Sequence, residues 1–263
     1  DSALQLAGVL LVLVLVLLII QSRANAMRRT TQSGPTARRL PLRGLPAGLA
    51  STACAMVLIL CLVLPLFQLI LWTIQHWERA DHRMLTAAMN SMALGAMAAV
   101  LLGISALMLA VAMRRSPGPL TRGAVKVATL GYALPGALLA IGLFVPLAVI
   151  TSNMNEAFGL NIILQGGVAL LLLAYAVRFT AVAHAPISSG LARIKPSLDE
   201  AALLAGHRGV AQIRRVHLPL LKPAFAAAAA LVFVDVMKEM PITLMMRPFG
   251  WDTLSVRVFE LTN

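Results

Sequence analysis

Three charged residues inside one apolar stretch are the side chains whose types and spacing could do chemistry. Asp235, Lys238 and Glu239 lie within residues 224–246, and Asp235 is the twelfth of these 23 residues. At helical spacing Lys238 can pair with Asp235, and Glu239 adds a second acid, so we expect this face to keep net negative charge. A charge near the centre of a bilayer costs about 2.5–3.5 kcal/mol unless it faces protein or water. Two interpretations follow: a structural ion pair, or the charged lining of a path.

A second informative segment is 194–223, most of the longest loop between the predicted apolar spans. Pro196 stops any preceding helix, and Ser197 to Glu200 has the S-x-x-E pattern of a capping box, with Ser197 as the N-cap and Glu200 at the third helical position. Gly206 follows this stretch. Glycine adopts the left-handed conformation that ends many helices at the lowest cost in free energy. The pattern predicts a helix of about two turns between these signals.

A second short helix is predicted from residue 210 to residue 217. Its two faces carry different side chains: Val210, Ile213 and Val216 on one, Arg214 and Arg215 on the other. Pro219 and Pro223 are expected to end it. Helices this short need a surface to dock against; the alternative is a plain loop held on the membrane surface by its basic residues.

Enzyme motifs are absent from the sequence. It has no G-x-x-x-x-G-K-[ST], H-E-x-x-H, C-x-x-C or G-x-S-x-G pattern, so any ATP used must be bound by another chain. Cys54 and Cys61 lie about 10 Å apart along a helix, beyond disulfide reach. The histidines lack metal-ligand spacing and are predicted to be solvated loop residues: His76, His82, His184, His207 and His217. We therefore expect no cofactor and assign no metal in this chain.

The amino-acid composition indicates that the helices carrying these residues lie in a bilayer. Hydrophobic residues make up 59% of the 263, charged residues only 12%, and the mean hydropathy is +0.85. The net charge of +12 comes from short stretches between apolar runs rather than from a basic domain, which argues against nucleic acid. The sequence predicts an all-α polytopic membrane protein with six spans of about 20 residues. The predicted spans are 3–20, 49–74, 85–113, 125–150, 160–182 and 224–246.

Loop charges orient these spans. The stretches 21–48, 114–126 and 184–223 hold 16 of the 22 basic residues, and basic excess marks cytoplasmic loops. The stretches 75–84 and 151–159 lack such an excess and are expected outside. The two kinds of loop alternate through all six predicted spans.

The loop 194–223 resembles the EAA loop of the membrane subunits of binding-protein-dependent ABC importers. The matching residues are Glu200, Ala201, Ala202, Gly206, Ile213, Val216, Leu218, Pro219 and Pro223. Val234–Leu261 and Ala174–Ala183 further resemble the iron(III) importer permeases. The resemblance implies the MetI-like permease fold, with ATPase coupling through the matching residues except Val216 and Pro223, together with Ser197 and Asp199.

The resemblance also implies a domain organisation. Iron(III) permeases of this type are fused from two halves. Residues 1–20 are then the last helix of a preceding half, 21–48 a basic cytoplasmic linker, and 49–263 a second half that lacks its final helix.

Partners, cargo and location follow from the same resemblance. It implies a cytoplasmic ATPase dimer carrying ATP and Mg²⁺, a periplasmic binding protein, and a lipid surrounding in the bacterial inner membrane. Iron(III) is the expected cargo, and because it prefers oxygen ligands, Asp235, Lys238 and Glu239 are the candidate path residues. Thiamine, polyamine, phosphonate or sulfate transport remains open, as does an ATP-independent secondary transporter.

The orientation gives a testable prediction. Cysteines placed at Gly123, Arg208 and Arg38 are expected to resist a membrane-impermeant thiol reagent applied to intact spheroplasts, because their loops are cytoplasmic. Cysteines at Asn153 and Asp81 are expected to react. Strong labelling at position 208 with none at 153 would reverse the topology.

Overall fold

The computed structural model describes residues 44–75, 82–159 and 166–262, and the regular elements in these ranges are all helices. The predicted all-α class is therefore confirmed. The predicted first span, 3–20, lies outside the described residues, as does most of the linker 21–48. The described residues fall into two compact units.

The first unit contains one long helix, α1, from Leu45 to Gln75, with a π-helical turn at Ile59–Val63. Its side chains are almost all exposed, and apolar ones predominate. A helix that is apolar all round suits a lipid surrounding. The predicted span 49–74 is confirmed, and Cys54 and Cys61 are free thiols, as their spacing predicted.

The second unit holds the other helices. In chain order they are α2 His82–Arg115, α3 Pro119–Leu130, α4 Gly136–Phe158, α5 Val168–Arg193, α6 Pro196–Leu204, α7 Val210–Leu220, α8 Lys222–Met237, α9 Pro241–Met246 and α10 Leu254–Thr262. In the described ranges, four helices are long and apolar enough to cross a membrane: α1, α2, α4 and α5. The pair α7 and α8, bent by 77°, makes a fifth if it counts as one span.

The predicted span 125–150 is wrong in its bounds. α3 ends at Leu130, a short 3₁₀ turn covers Gly131–Ala133, and α4 begins only at Gly136. Leu134 takes an extended conformation (φ −80°, ψ 137°), as the residue before a proline prefers. The span predicted at 160–182 is displaced in the same way, since α5 runs from Val168 to Arg193.

The predicted span 224–246 is also wrong, because it is not one helix. α8 ends at Met237 and α9 begins at Pro241. Proline has no N–H to donate to the preceding turn and fits the first turn of a new helix, so it starts α9 instead of kinking α8. Asp235 consequently lies in the last turn of α8, and Lys238 and Glu239 lie in the break.

α5 is the helix around which the core of the second unit is built. It packs against α3, α4, α8 and α9, and its fully buried side chains include Leu171, Tyr175 and Ile187. Small residues let the partner helices approach closely, as is usual in membranes. A Cβ on Gly190 would lie only 2.7 Å from the Cβ of Ala224, so α5 and α8 meet almost backbone to backbone.

Gly131 is the sharpest such contact and gives a stability prediction. A Cβ there would overlap the backbone carbonyl of Val177, which cannot rotate away. We expect Gly131→Ala to cost about 1–3 kcal/mol through overpacking and to lower the melting temperature of the detergent-solubilised protein.

Gly142→Ala is the matched control, because a Cβ at this α4 position meets nothing within 4 Å. Heating followed by size-exclusion chromatography measures both variants. Equal melting temperatures would contradict the assigned contact.

Candidate functional site

α6 begins earlier than the sequence predicts. Its N-cap is Lys195, and Pro196 occupies the first turn, where its fixed φ and missing N–H are tolerated. The predicted N-cap at Ser197 is therefore wrong, and Glu200 falls in the second turn. The preceding helix α5 ends at Arg193, before Pro196 as expected, and the same proline also starts α6.

The end of α6 is as predicted. Gly206 has a φ of +79°, the left-handed conformation that glycine adopts without strain. The His207 N–H donates to the Ala202 carbonyl at 2.8 Å and the Gly206 N–H to the Leu203 carbonyl at 3.1 Å. This pair of bonds is the Schellman motif, and it fixes the direction in which the chain leaves α6.

The residues of the predicted loop motif divide between two faces of α6. Ala202 is buried and Asp199 half-buried, whereas Ser197, Glu200 and Ala201 are exposed. Large apolar side chains are exposed beside them: Leu203 at 44%, Leu204 at 91% and, at the start of α7, Val210 at 78%. This part of the loop therefore presents an apolar surface that the described residues leave uncovered.

α7 is longer than predicted and its buried face is different. It continues through Pro219 to Leu220, and the chain bends at the buried Leu221 into α8. Ile213 packs against the core as expected, but Val210 is exposed. Leu218 and Pro219 are exposed, so the motif residues after α6 do not form one contact surface.

Four polar residues, which we call the polar junction, join the loop to the core: Arg114, Asp199, Gln212 and His217. Asp199 is the centre, and its Oδ2 accepts from Nε of Arg114 at 2.7 Å. Its Oδ1 lies 2.7 Å from Nε2 of His217 and accepts from Nε2 of Gln212 at 3.1 Å. One carboxylate thus joins the end of α2, α6 and α7.

Arg114 also connects the polar junction to the end of α5. Its guanidinium donates to the carbonyls of Leu191 and Ile194, the latter at 2.8 Å. The Leu191 carbonyl also accepts from the Ile194 N–H at 3.2 Å, so Arg114 is its second donor. The Ile194 carbonyl follows the last turn of α5, where no further helical N–H is in reach, and Arg114 is its donor. Next to it, Arg115 donates to the Gly209 carbonyl at 2.9 Å, just before α7.

The electrostatics of the polar junction favour an ionised Asp199. Partial burial alone would raise the pKa of this carboxyl, but hydrogen bonds from His217 and Arg114 bring the pKa below its usual value. The prediction that His217 is a solvated loop residue is wrong, because it is only 2% exposed. It is buried because α7 turns it towards Asp199.

A second group of charges, which we call the break cluster, consists of Arg178, Asp235, Lys238 and Glu239. Lys238 Nζ lies 2.7 Å from Asp235, the pairing that the spacing predicted. Glu239 lies 3.4 Å from Nε of Arg178 on α5. The expected net negative charge is therefore wrong, because a base from another helix balances the second acid.

Sequence reasoning missed both arginines. Arg114 is one of several basic residues in a loop with basic excess, and nothing in its spacing points to residue 199. Arg178 did carry a signal, since a lone arginine inside an apolar span implies a partner within the protein. The sequence does not identify Glu239 as that partner. It predicts one continuous helix over residues 224–246, and the contact with Arg178 occurs at the break in this stretch.

Comparison with known proteins places these features in a family. A family model described as "Binding-protein-dependent transport system inner membrane component" matches residues 94–251. The match includes most of α2, all of α3 to α9, the polar junction and the break cluster.

Individual relatives are distant. A Salmonella typhimurium protein named as a 2-aminoethylphosphonate transport system permease, PhnV, is 28% identical over 193 residues, which cover 73% of this chain and 69% of the relative. The Fe(3+)-transport system permease protein FbpB 2 of Haemophilus influenzae is 26% identical over 79% of this chain and 40% of its own length. A Sinorhizobium fredii protein named as an ABC transporter permease, y4fN, is 32% identical over 59% of this chain and 26% of its own length.

The polar junction predicts a local stability effect. In Arg114→Leu, the carboxylate of Asp199 and the carbonyls at the end of α5 lose their common donor. Hydrogen bonds to charged groups contribute about 1.5–3 kcal/mol. We expect amide hydrogen exchange in α6 and α7 to accelerate roughly tenfold to a hundredfold. Arg122→Gln, at an exposed position on α3, is the control that removes a basic charge elsewhere.

The same measurement has a defined pH dependence. Because the folded-state pKa of Asp199 is lowered, its contribution is fully present above the ordinary carboxyl pKa of about 3.9 and is lost as the pH falls through the folded-state value. Protection of α6 and α7 from exchange is therefore expected to persist from neutral pH down to about 4. An unchanged exchange rate in Arg114→Leu would contradict the role given to the polar junction.

Proposed function

This chain belongs to the family of binding-protein-dependent transport system inner membrane components, and from that premise we propose that α6 and α7 couple an ATPase to the movement of its spans. The chain is a permease subunit of an ABC importer rather than an enzyme. In this proposal a dimer of ATPase subunits, with ATP and Mg²⁺, docks on the loop 194–223 from the cytoplasm, and a periplasmic binding protein delivers cargo. The division of the chain at residues 20 and 48 also stays a proposal.

The observation that supports coupling is the attachment of the loop at several points. α6 and α7 are too short to be stable alone, yet the polar junction joins them to the ends of α2 and α5. A push on the exposed face of α6 can therefore move two spans together as rigid bodies. The exposed Leu203, Leu204 and Val210 supply the apolar contact for the docking partner.

The role of Glu200 changes with the structure. It is exposed in the second turn of α6, so it does not cap the helix. We keep it in the docking surface, where its charge can meet a basic group of the ATPase. Asp199 faces the protein and holds the loop, so the two adjacent acids have different tasks.

For the cargo we propose iron(III). The support is the resemblance of residues 234–261 to iron(III) permeases, together with the similarity to FbpB 2 over 79% of this chain. The break cluster supplies two carboxylates beside a discontinuity of a span, the kind of place where transporters form their paths. Each carboxylate is paired with a base, so net charge does not argue for a cation.

A phosphonate is the second candidate. The relative named for 2-aminoethylphosphonate transport is matched over 69% of its own length, a larger share than for FbpB 2. The guanidinium of Arg178 and the 69% exposed ammonium of Lys238 are groups that bind phosphonate oxygens.

One reconstituted assay tests coupling and cargo together. The full-length protein, its ATPase and its binding protein are placed in proteoliposomes, and uptake of radioactive iron(III) and of 2-aminoethylphosphonate is measured with and without ATP. ATP-dependent iron uptake supports the proposal. Phosphonate uptake without iron uptake would replace the cargo, and uptake without ATP would favour a secondary transporter.

In this assay we expect Gly206→Val and Glu200→Lys to reduce uptake and ATPase co-purification. Valine at φ +79° costs about 1–2 kcal/mol and misdirects the chain after α6. Lysine reverses a charge on the docking face. Gly123→Val, on α3 with open space around it, is the control. Normal uptake and co-purification in both variants would refute coupling through this loop.

A further inference from the structure

Two breaks in the helices meet at one side chain. The first break separates α3 from α4 at residues 131–135, and the second separates α8 from α9 at residues 238–240. Arg178, near the middle of α5, contacts both: its Nη1 donates to the Leu134 carbonyl at 3.1 Å, and its Nε lies 3.4 Å from Oε2 of Glu239. The fork of one guanidinium therefore hydrogen-bonds to the first broken segment and forms an ion pair, without a hydrogen bond from Nε, with the second.

The first break is pressed closely against this fork. A Cβ on Gly136 would lie 2.6 Å from Nη1 of Arg178 and 2.8 Å from Oε1 of Glu239, so a larger residue would displace both groups. At the other end of the break, Gly131 lies against the backbone of Val177. Glycine at both ends lets the break lie directly on α5.

Glu239 holds the second break in a similar way. Its Oε1 accepts from the Ile242 N–H at 3.3 Å, and its carbonyl accepts from Thr243 at 2.7 Å and from Ser255 at 2.9 Å. One turn before Arg178 on α5, Tyr175 forms a 2.6 Å hydrogen bond with the same Thr243. The break, α9 and the start of α10 are thus held to α5 through Glu239 and its neighbours.

The fork lies at the boundary between buried and exposed protein. Helix breaks at membrane depth are tolerated only where they are buried in protein or line a water-filled cavity. Here Glu239 is 7% and Arg178 19% exposed, while Lys238 beside them is 69% exposed. The cluster therefore lies where the packed interior gives way to an open surface.

We propose that Arg178 is a positioning residue that keeps a passage between the two breaks closed, and that the passage opens when Glu239 separates from it. This inference rests on the proposed importer function. A conformational cycle needs an element that can adopt two arrangements, and binding of the ATPase or the binding protein must be able to shift the equilibrium between them. A single ion pair that holds two otherwise irregular segments is such an element, because its loss frees both breaks together.

Six variants in the reconstituted full complex test this role: two Gln variants, Arg178→Lys, the single charge changes Arg178→Glu and Glu239→Arg, and the exchanged pair that combines them. We expect Arg178→Gln and Glu239→Gln to lower uptake roughly tenfold while ATP hydrolysis loses its dependence on the binding protein, because the closed arrangement is no longer held. Arg178→Lys is expected to fall between these variants and the wild type, since an ammonium can face Glu239 but lacks the fork that also reaches Leu134. The exchanged pair Arg178→Glu with Glu239→Arg is expected to recover uptake roughly threefold over either single charge change.

Controls separate this role from a loss of folding or of the importer function. Lys126→Gln, at an exposed position on α3, removes a basic charge elsewhere and is expected to behave as wild type. Size-exclusion profiles report folding, and if Arg178→Gln does not accumulate, Arg178→Lys and the exchanged pair decide the result. A wild type without ATP-dependent uptake refutes the importer function itself.

Two outcomes overturn the inference while that function stands. The first is normal uptake with binding-protein-dependent hydrolysis in both Gln variants. The second is an exchanged pair no better than the single charge changes in a folded complex.

Discussion

Polar groups that lose contact with water inside a bilayer must find partners within the protein, and this constraint explains the arrangement around α5. An arginine in the middle of a span is costly alone, as is a carbonyl freed by a helix break. Arg178 satisfies the carbonyl of Leu134 and faces the carboxylate of Glu239. Each of these groups would be unfavourable without the others, so the two breaks and the arginine are stable only in combination.

The same constraint operates at the end of α5, where the chain leaves the apolar spans. The last carbonyls of α5 and the carboxylate of Asp199 share one donor, Arg114. This sharing is what joins two short, individually unstable helices to the spans. A mechanical role for the loop depends on it, because a loop attached only by its ends would absorb movement instead of transmitting it.

Local signals in the sequence were informative where the deciding contacts are local. Gly206 was predicted to end α6 and does so with positive φ, because the requirement lies in the backbone of that residue. The Asp235–Lys238 pair was predicted from spacing alone, since both residues lie on one turn. The cap at Ser197 failed because Pro196, only one residue earlier, is a stronger starting signal for a helix.

The sequence by itself determined that this is an all-α membrane protein with a capped loop helix. The features that did so are its hydropathy, its basic loops and the positions of its glycines and prolines. These features act within one span or one turn, so no knowledge of neighbours is needed. The partners of Glu239, Asp199 and the buried His217 were decided only by the tertiary structure. Arg178 and Arg114 reach Glu239 and Asp199 from helices distant in sequence, and His217 meets Asp199 because α7 folds back beside α6. At the break cluster, the side chains that meet depend on where two helices break and how closely glycine lets the breaks approach α5.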